Sequence, residues 1–186
     1  TFKDHSLHPT QQLTTTGILA ESSNTGTIKI GSLLSDAKRA EYMEAFGWTD
    51  RTGVELAGEG VGLGTDAAAW DARQRFTTMF GQGVAVNLLQ NTNVIATLAN
   101  GGVRMPLHIV DGVTAADGTY TPVETGEPRQ VVSAETGAQM IRMLESVTSE
   151  DAAGATGTRA MVEGYRVAGK TGTAQIADAS GKLNDT

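Results

Sequence analysis

A mixed fold of the α/β (α+β) class is what this sequence predicts, on three observations. Helical patterns come first, mixed segments follow, and a late extended stretch at Val167–Gln175 needs sheet partners; that order suits neither a repeat nor a bundle. The chain has 186 residues, the size of one domain or of a piece of one. Its 39% hydrophobic and 19% charged residues describe a chain that buries a core.

Thr1–Thr10 reads as loop, since Asp4, His5, Ser6, His8 and Pro9 show no period. His5 and His8 lack a third ligand at metal-binding spacing, so they are read as solvated loop residues and no metal site is expected. A short helix over Thr14–Glu21 turns Ile18 and Leu19 inward, and Thr27–Leu34 is helical with Ile28, Ile30, Leu33 and Leu34 apolar. Ser35 caps an amphipathic helix over Asp36–Phe46. Its buried stripe is Ala37, Ala40, Met43 or Tyr42, and Phe46, and Gly47 stops it.

Thr52–Leu56 looks like a strand, whereas Gly58–Gly64 is too rich in glycine for regular structure. That run does not complete a phosphate-binding G-x-G-x-x-G, because Thr65 stands at the last position. Asp66–Arg75 is a short helix anchored by Trp70. Asn87 caps a helix over Leu88–Leu98, with Leu88, Asn91, Val94 or Ile95, and Leu98 on one face, and Asn100-Gly101-Gly102 ends it in a left-handed turn. Val103–Val110 reads as an edge strand because it contains Pro106, and Asp111–Glu127 as a polar, hairpin-like insertion. Ser133 caps a helix to about Val147 with Met140, Ile141, Leu144 and Val147 inward. A glycine-rich loop at 153–157 and a helical piece at 158–162 then lead into the late strand.

The net charge of −7 and the pI near 4.9 argue against a nucleic-acid partner, whose binders carry basic stripes. Without cysteine there are neither disulfides nor thiolate metal sites. No run of about 18 apolar residues is present to span a membrane. The start at Thr1, with no methionine, suggests a piece cut from a longer polypeptide.

The late stretch, Val167-Ala168-Gly169-Lys170-Thr171-Gly172-Thr173-Ala174-Gln175, sets one lysine between two glycines. Lys170 offers a charge for a carboxylate, Thr171 and Thr173 offer hydroxyls, and Gly172 removes a side chain that would obstruct a ligand lying along a strand. The plainer reading is an edge strand with an incidental lysine. Gly164–Thr171 also fits the nucleotide-binding pattern G-x-x-x-x-G-K-[ST]. That loop requires a helix starting at its Lys-Thr, and the residues after Thr171 are poor helix formers. Upstream, Ser22-Ser23-Asn24-Thr25-Gly26 has two readings as well. It is a helix stop and restart capped by Asn24 or Thr25, or a tight turn presenting Ser22 and Asn24 together as a proton-relay and hydrogen-bonding pair.

Taken together, Ser22-Ser23-Asn24 and Lys170-Thr171-Gly172-Thr173, 148 residues apart, resemble two of the three signature motifs of the penicillin-binding, serine-transpeptidase superfamily. Gly81-Gln82-Gly83, Asn87-Leu88-Leu89-Gln90 and Ala99-Asn100-Gly101-Gly102-Val103 resemble a run of class B penicillin-binding proteins, as does Gly164–Gln175. The likeness covers about Leu13 to Gln175 and points to the division-type (septal) D,D-transpeptidases. It implies helices packed on an antiparallel sheet and a partial transpeptidase domain over residues 1–186, cut at both ends. It also implies peptidoglycan cross-linking through an acyl-serine, with no cofactor. Ser22 would relay a proton to the departing D-alanine amine and Asn24 would hold a substrate amide. Lys170 and Thr171, with Gly172 alongside, would bind the terminal carboxylate of a D-Ala-D-Ala stem peptide or of a β-lactam. The Thr173 N–H would form one arm of an oxyanion hole.

The implied location is the extracytoplasmic face of the bacterial membrane, reached by an N-terminal anchor outside this sequence. The implied partners are a membrane glycosyltransferase, division proteins and a complementing chain that carries the remaining segments. One departure outweighs the agreements: no S-x-x-K, the nucleophile motif, stands ahead of Ser22-Ser23-Asn24, and the one match in these 186 residues, Ser35-Asp36-Ala37-Lys38, lies after it, out of the family's order. Thr1-Phe2-Lys3 is read as coincidence, since Lys3 lies only 19 residues before Ser22. The chain by itself is therefore expected to be inactive, with a nucleotide-binding protein and a non-catalytic relative as the alternatives. Relay chemistry requires Ser22 Oγ and Lys170 Nζ to lie within hydrogen-bond range or one water of each other.

Overall fold

The computed structural model describes residues 1–174 and the backbone of 176–177 and 183–184. Its helices are α1 (Thr15–Ala20), α2 (Asn24–Gly31), α3 (Asp36–Ala45), α4 (Gln74–Thr77), α5 (Leu88–Ala99) and α6 (Ala134–Thr148). The strands form three antiparallel pairs: β1 (Val103–Arg104) with β4 (Arg129–Gln130), β2 (Gly112–Thr114) with β3 (Tyr120–Pro122), and β5 (Ile176–Ala177) with β6 (Leu183–Asn184). The mixed class and the antiparallel pairing agree with expectation. The insertion at 111–127 is indeed built on a hairpin.

Local chemistry starts the helices. Thr14, Ser23, Ser35, Asn87 and Ser133 each accept a hydrogen bond on the side-chain oxygen from the backbone N–H three residues on. Each such cap is worth about 1 kcal/mol. At α5 the cap is reciprocal, because the Gln90 side chain accepts from Asn87 N at 2.8 Å. The core forms where α5 and α6 meet, around Leu98, Leu144 and Val147, with Leu19, Phe46, Val132, Met140, Ile141 and Ala168 packed against it. Helix α1 lies on α6 as well. Gly137 allows the close approach, since a Cβ there would stand 2.9 Å from the Leu98 carbonyl oxygen. Gly102, at φ +79°, closes the end of α5 against Val132 O.

Several expectations need correction. Helix α2 begins at Asn24, capped by Ser23 rather than by Asn24 or Thr25, and it ends at Gly31, leaving Leu33 exposed. Residues 52–56 form no strand; the Glu59 carboxylate takes the Thr52 N–H at 2.9 Å and organises a loop instead. Asp66–Arg75 is not one helix but a 3₁₀ turn at Ala67–Ala69 followed by the short α4. The strand expected over 103–110 is reduced to β1, and the piece at 158–162 to a 3₁₀ turn at Thr158–Ala160.

Two helices also turn faces that apolar spacing did not indicate. In α3 Ala37 is exposed and Arg39 is buried, donating to Thr78 Oγ1 at 3.1 Å, pairing with Asp36 and lying 5.0 Å over the Trp70 ring. In α5 the inward residues are Gln90, Asn93, Thr97 and Leu98, while Leu88 is 79% exposed. On α5 the buried groups find partners where they sit: Gln90 Nε2 donates to Trp48 O and Asp50 O at 3.2 and 2.7 Å, and Thr97 Oγ1 to Asn93 O at 2.6 Å. Hydrogen-bonded in this way, a buried amide or hydroxyl avoids the desolvation cost of an unpaired one.

The expected strand Val167–Gln175 is also corrected. Residues 167–174 are neither strand nor helix, and Gln175 lies outside the described residues. The backbone of 167–169 is tied to the end of α6 and not to a ladder. Thr148 Oγ1 donates to Val167 O at 2.6 Å, and Gly169 N donates to Leu144 O at 3.3 Å.

Candidate active site

Three segments converge: the end of α1, the loop after α6, and residues 167–174. Helix α1 ends in a Schellman turn, with Ser22 N donating to Leu19 O at 3.2 Å and Ser23 N to Ile18 O at 3.0 Å. Ser22 occupies its left-handed position at φ +55°, and among the described residues it is the non-glycine residue with positive φ. Glycine usually fills that position, and an L-residue there costs roughly 1–2 kcal/mol. Helix α2 starts at once, so Ser22, Ser23 and Asn24 form a single corner between two helices.

The N-terminal segment pins this corner from outside. The Asp4 carboxylate accepts from Thr25 N at 2.8 Å, Thr25 Oγ1 at 3.0 Å and Ser23 Oγ at 3.1 Å. Asn24 Nδ2 donates to Lys3 O at 3.2 Å. His8 Nε2 lies 2.8 Å from Asp4. Burial pushes the Asp4 carboxyl up, but the bonds from Thr25 N, His8, Thr25 Oγ1 and Ser23 outweigh it and hold the group below the usual aspartate range. His8 is raised, first by its bond with Pro9 O and then by Asp4. No group of three or more His, Asp or Glu that could hold a metal occurs among the described residues.

Opposite the corner, Ala168 packs against the core and anchors the segment that carries Lys170. Lys170 Nζ donates to Ser22 Oγ at 2.6 Å and to Thr171 O at 3.0 Å. No carboxylate among the described residues pairs with it. The residue as a whole is exposed, yet its ammonium, turned in on Ser22, is desolvated enough to hold its pKa below lysine's ordinary value. Thr171 is joined to the same corner through Thr156: the two hydroxyl oxygens are 2.9 Å apart, and Thr156 Oγ1 and N both donate to Ala20 O at 3.1 Å. Gly172 and Thr173 are exposed, and a Cβ on Gly172 would meet nothing within 4 Å.

The required meeting of Ser22 and Lys170 is thus present, and Thr171 stands beside them. Ser23, not Asn24 or Thr25, serves as the cap, and of the expected pair Ser22 and Asn24 it is Ser22 that faces the lysine. Asn24 is directed to Lys3 instead. Thr156 and Asp4 were not singled out by sequence, because neither sits in a pattern with its spatial partners. Nor does a helix start at Lys170-Thr171 or a strand precede Gly164, which lies in a turn at φ +81°. The nucleotide-binding reading of Gly164–Thr171 lacks its geometry. What remains is an unpaired cation with an adjacent hydroxyl, suited to a carboxylate, and a serine that accepts from an ammonium while keeping its own proton to donate.

Helices with antiparallel strand pairs and a contact between the lysine of one motif and the serine of the other are what the likeness to the penicillin-binding family led one to expect. The chain belongs to the penicillin-binding protein transpeptidase domain family, whose model matches residues 2–186. It is 39% identical over 178 residues to penicillin-binding protein PbpB of Mycolicibacterium smegmatis, covering 94% of this chain and 28% of that protein. It is 33% identical to the peptidoglycan D,D-transpeptidase FtsI of Escherichia coli, covering 92% and 27%. Among solved structures, penicillin-binding protein 3 of Mycobacterium tuberculosis complexed with aztreonam superposes at a TM-score of 0.92 and 36% identity, over 97% of this chain and 41% of that one. The chain thus spans about a quarter of the length of these curated relatives.

Proposed function

We propose that this chain is the substrate-carboxylate half of a peptidoglycan D,D-transpeptidase, the part that grips a D-Ala-D-Ala stem peptide and the β-lactams that mimic it. The observation that carries the reading is the 2.6 Å contact between Lys170 Nζ and Ser22 Oγ, made by residues 148 positions apart in two separate motifs. In this reading Lys170 and Thr171 bind the terminal carboxylate. Ser22, polarised by Lys170, passes a proton to the departing D-alanine amine, a step in which a positioned acid contributes about 10²–10⁴-fold. Asn24, whose amide donates to Lys3 O without a ligand, turns that amide to the substrate backbone on binding. Past Gly172, the N–H of Thr173 stabilises the oxyanion, where one such donor is worth about 3 kcal/mol.

The acyl-accepting serine has no S-x-x-K ahead of Ser22 to supply it; the one match, Ser35-Asp36-Ala37-Lys38, follows that motif, with Ser35 capping α3 and Lys38 paired with Glu41, and the relatives are several times longer. We assign it to a segment of a longer protein, held outside the cytoplasm by a membrane anchor and working with a glycosyltransferase and division proteins at the septum. No helix among the described residues is long and apolar enough to cross a membrane. Intact-protein mass spectrometry of the full-length gene product after incubation with penicillin tests the proposal. A stoichiometric acyl adduct on an S-x-x-K serine outside these 186 residues is expected, and an absent adduct, or one placed on Ser22, Ser23, Ser35 or another serine of this chain, overturns it.

A further inference from the structure

We infer that Thr156 is a positioning residue that governs the direction of the Thr171 hydroxyl proton, and through it the preference of the site for a carboxylate; this rests on the carboxylate reading of Lys170 and Thr171. A threonine hydroxyl has one proton to give and two lone pairs to receive. Thr156 Oγ1 gives its proton to Ala20 O at 3.1 Å, so in its 2.9 Å contact with Thr171 Oγ1 the Thr171 hydroxyl is the donor. Before any ligand arrives, the proton that a carboxylate needs from Thr171 is therefore turned away from the site.

Ala20 O does not depend on that hydroxyl. It also accepts Thr156 N at 3.1 Å. When a carboxylate arrives beside Lys170, the Thr171 proton swings to it, and the Thr156 proton leaves Ala20 O for the lone pair exposed on Thr171 Oγ1. Each oxygen keeps a partner throughout. In the ligand-bound state Thr156 donates to Thr171, which donates to the anion, and such a chain polarises in the direction the negative charge favours. Backbone anchorage fixes the device in place, since Gly157 N donates to Val147 O at 2.8 Å and Thr156 N to Ala20 O.

The test compares acylation rates of the full-length protein with a β-lactam free acid and with its methyl ester. Thr156→Val keeps the shape and the backbone bonds and deletes the hydroxyl. It should slow the free acid about five- to ten-fold, the loss expected of one hydrogen bond, and leave the ester rate within about two-fold. Thr156→Ser should restore the acid rate. Thr171→Val serves as the control for the underlying reading. If it affects acid and ester equally, the carboxylate assignment fails and this inference with it. If Thr171→Val discriminates and Thr156→Val leaves both rates unchanged, or lowers both equally, the inference alone is overturned, the equal loss marking a merely structural role.

Discussion

Replacing Ser22 separates the cost of its backbone from the use of its hydroxyl. At φ +55° the residue holds a conformation that disfavours any side chain, by roughly 1–2 kcal/mol relative to glycine. Ser22→Ala keeps that cost and loses the bond from Lys170 Nζ. Because the ammonium can be rehydrated at this open site, that loss is nearer that of an ordinary hydrogen bond than of a shielded charged one, about 1 kcal/mol. Ser22→Gly loses the same bond but relieves the strain, so it should be about 1 kcal/mol more stable than Ser22→Ala and close to the parent. For a domain of this size that difference is about 2–4 °C in melting temperature. Both variants should lose about 10²–10⁴-fold in transpeptidation turnover, the share of a positioned proton donor. Thermal unfolding and turnover of the three full-length proteins decide the matter. A glycine variant less stable than the alanine variant would sink the strain argument, and normal turnover in either would remove Ser22 from the relay.

Other outcomes follow from the same geometry. Lys170 has its pKa lowered by desolvation, so acylation by carboxylate-bearing β-lactams should fall as pH rises through a value below lysine's usual 10.4 or so; a profile flat up to pH 11 would contradict this. The raised pKa of His8 means that its pairing with Asp4 stabilises the fold fully below about pH 6.5 and is lost as pH rises through the raised value. By proton NMR, Asp4→Asn should bring the His8 titration back toward its ordinary position. Leu144, 4% exposed in the core, should cost about 2–5 kcal/mol when cut to alanine, measured by denaturant unfolding. The 186-residue chain alone should show no mass increase with penicillin, whereas an adduct on any of its serines would mean that the nucleophile has been misplaced.

What could be read from the sequence was whatever short-range chemistry decides. Ser35, Asn87 and Ser133 were recognisable as caps because the bond each makes is to a backbone N–H three residues away. The inward face of α6 was legible for a related reason, since Leu144 and Val147 meet other apolar groups. Helix α5 defeated the same logic: Gln90 is 1% exposed because two loop carbonyls 40 and 42 positions upstream receive its amide, and apolar spacing carries no sign of that. Arg39 is a similar case, buried by Thr78, Asp36 and Trp70. The late stretch looked like a strand from its β-branched and small residues, but pairing depends on a neighbour, and its polar contacts run to a helix end instead. The meeting of Ser22 with Lys170 was foreseen through the likeness of two motifs to a family; nothing in either motif alone specifies it. Thr156 and Asp4 act across 15 and 21 positions respectively, with no pattern to announce them.

Under the carboxylate-binding role proposed above, the attachment of residues 167–169 to the end of α6 has a consequence for evolution under antibiotic pressure. A lysine mounted in the middle of a wide sheet would be insulated from substitutions elsewhere by ladder bonds on both sides. Here its mounting depends on Thr148, whose hydroxyl holds Val167 O, and on the carbonyl of Leu144. Selection for drug tolerance therefore has a target that touches neither drug nor substrate. Serine at position 148 would preserve the tether; valine or alanine would release it and let Lys170 drift relative to Ser22. A drug and a stem peptide share the carboxylate but differ in the rest of their shape, so a small displacement of the lysine weighs on them unequally. The last turn of α6 is accordingly a place where a lineage could exchange catalytic efficiency for discrimination.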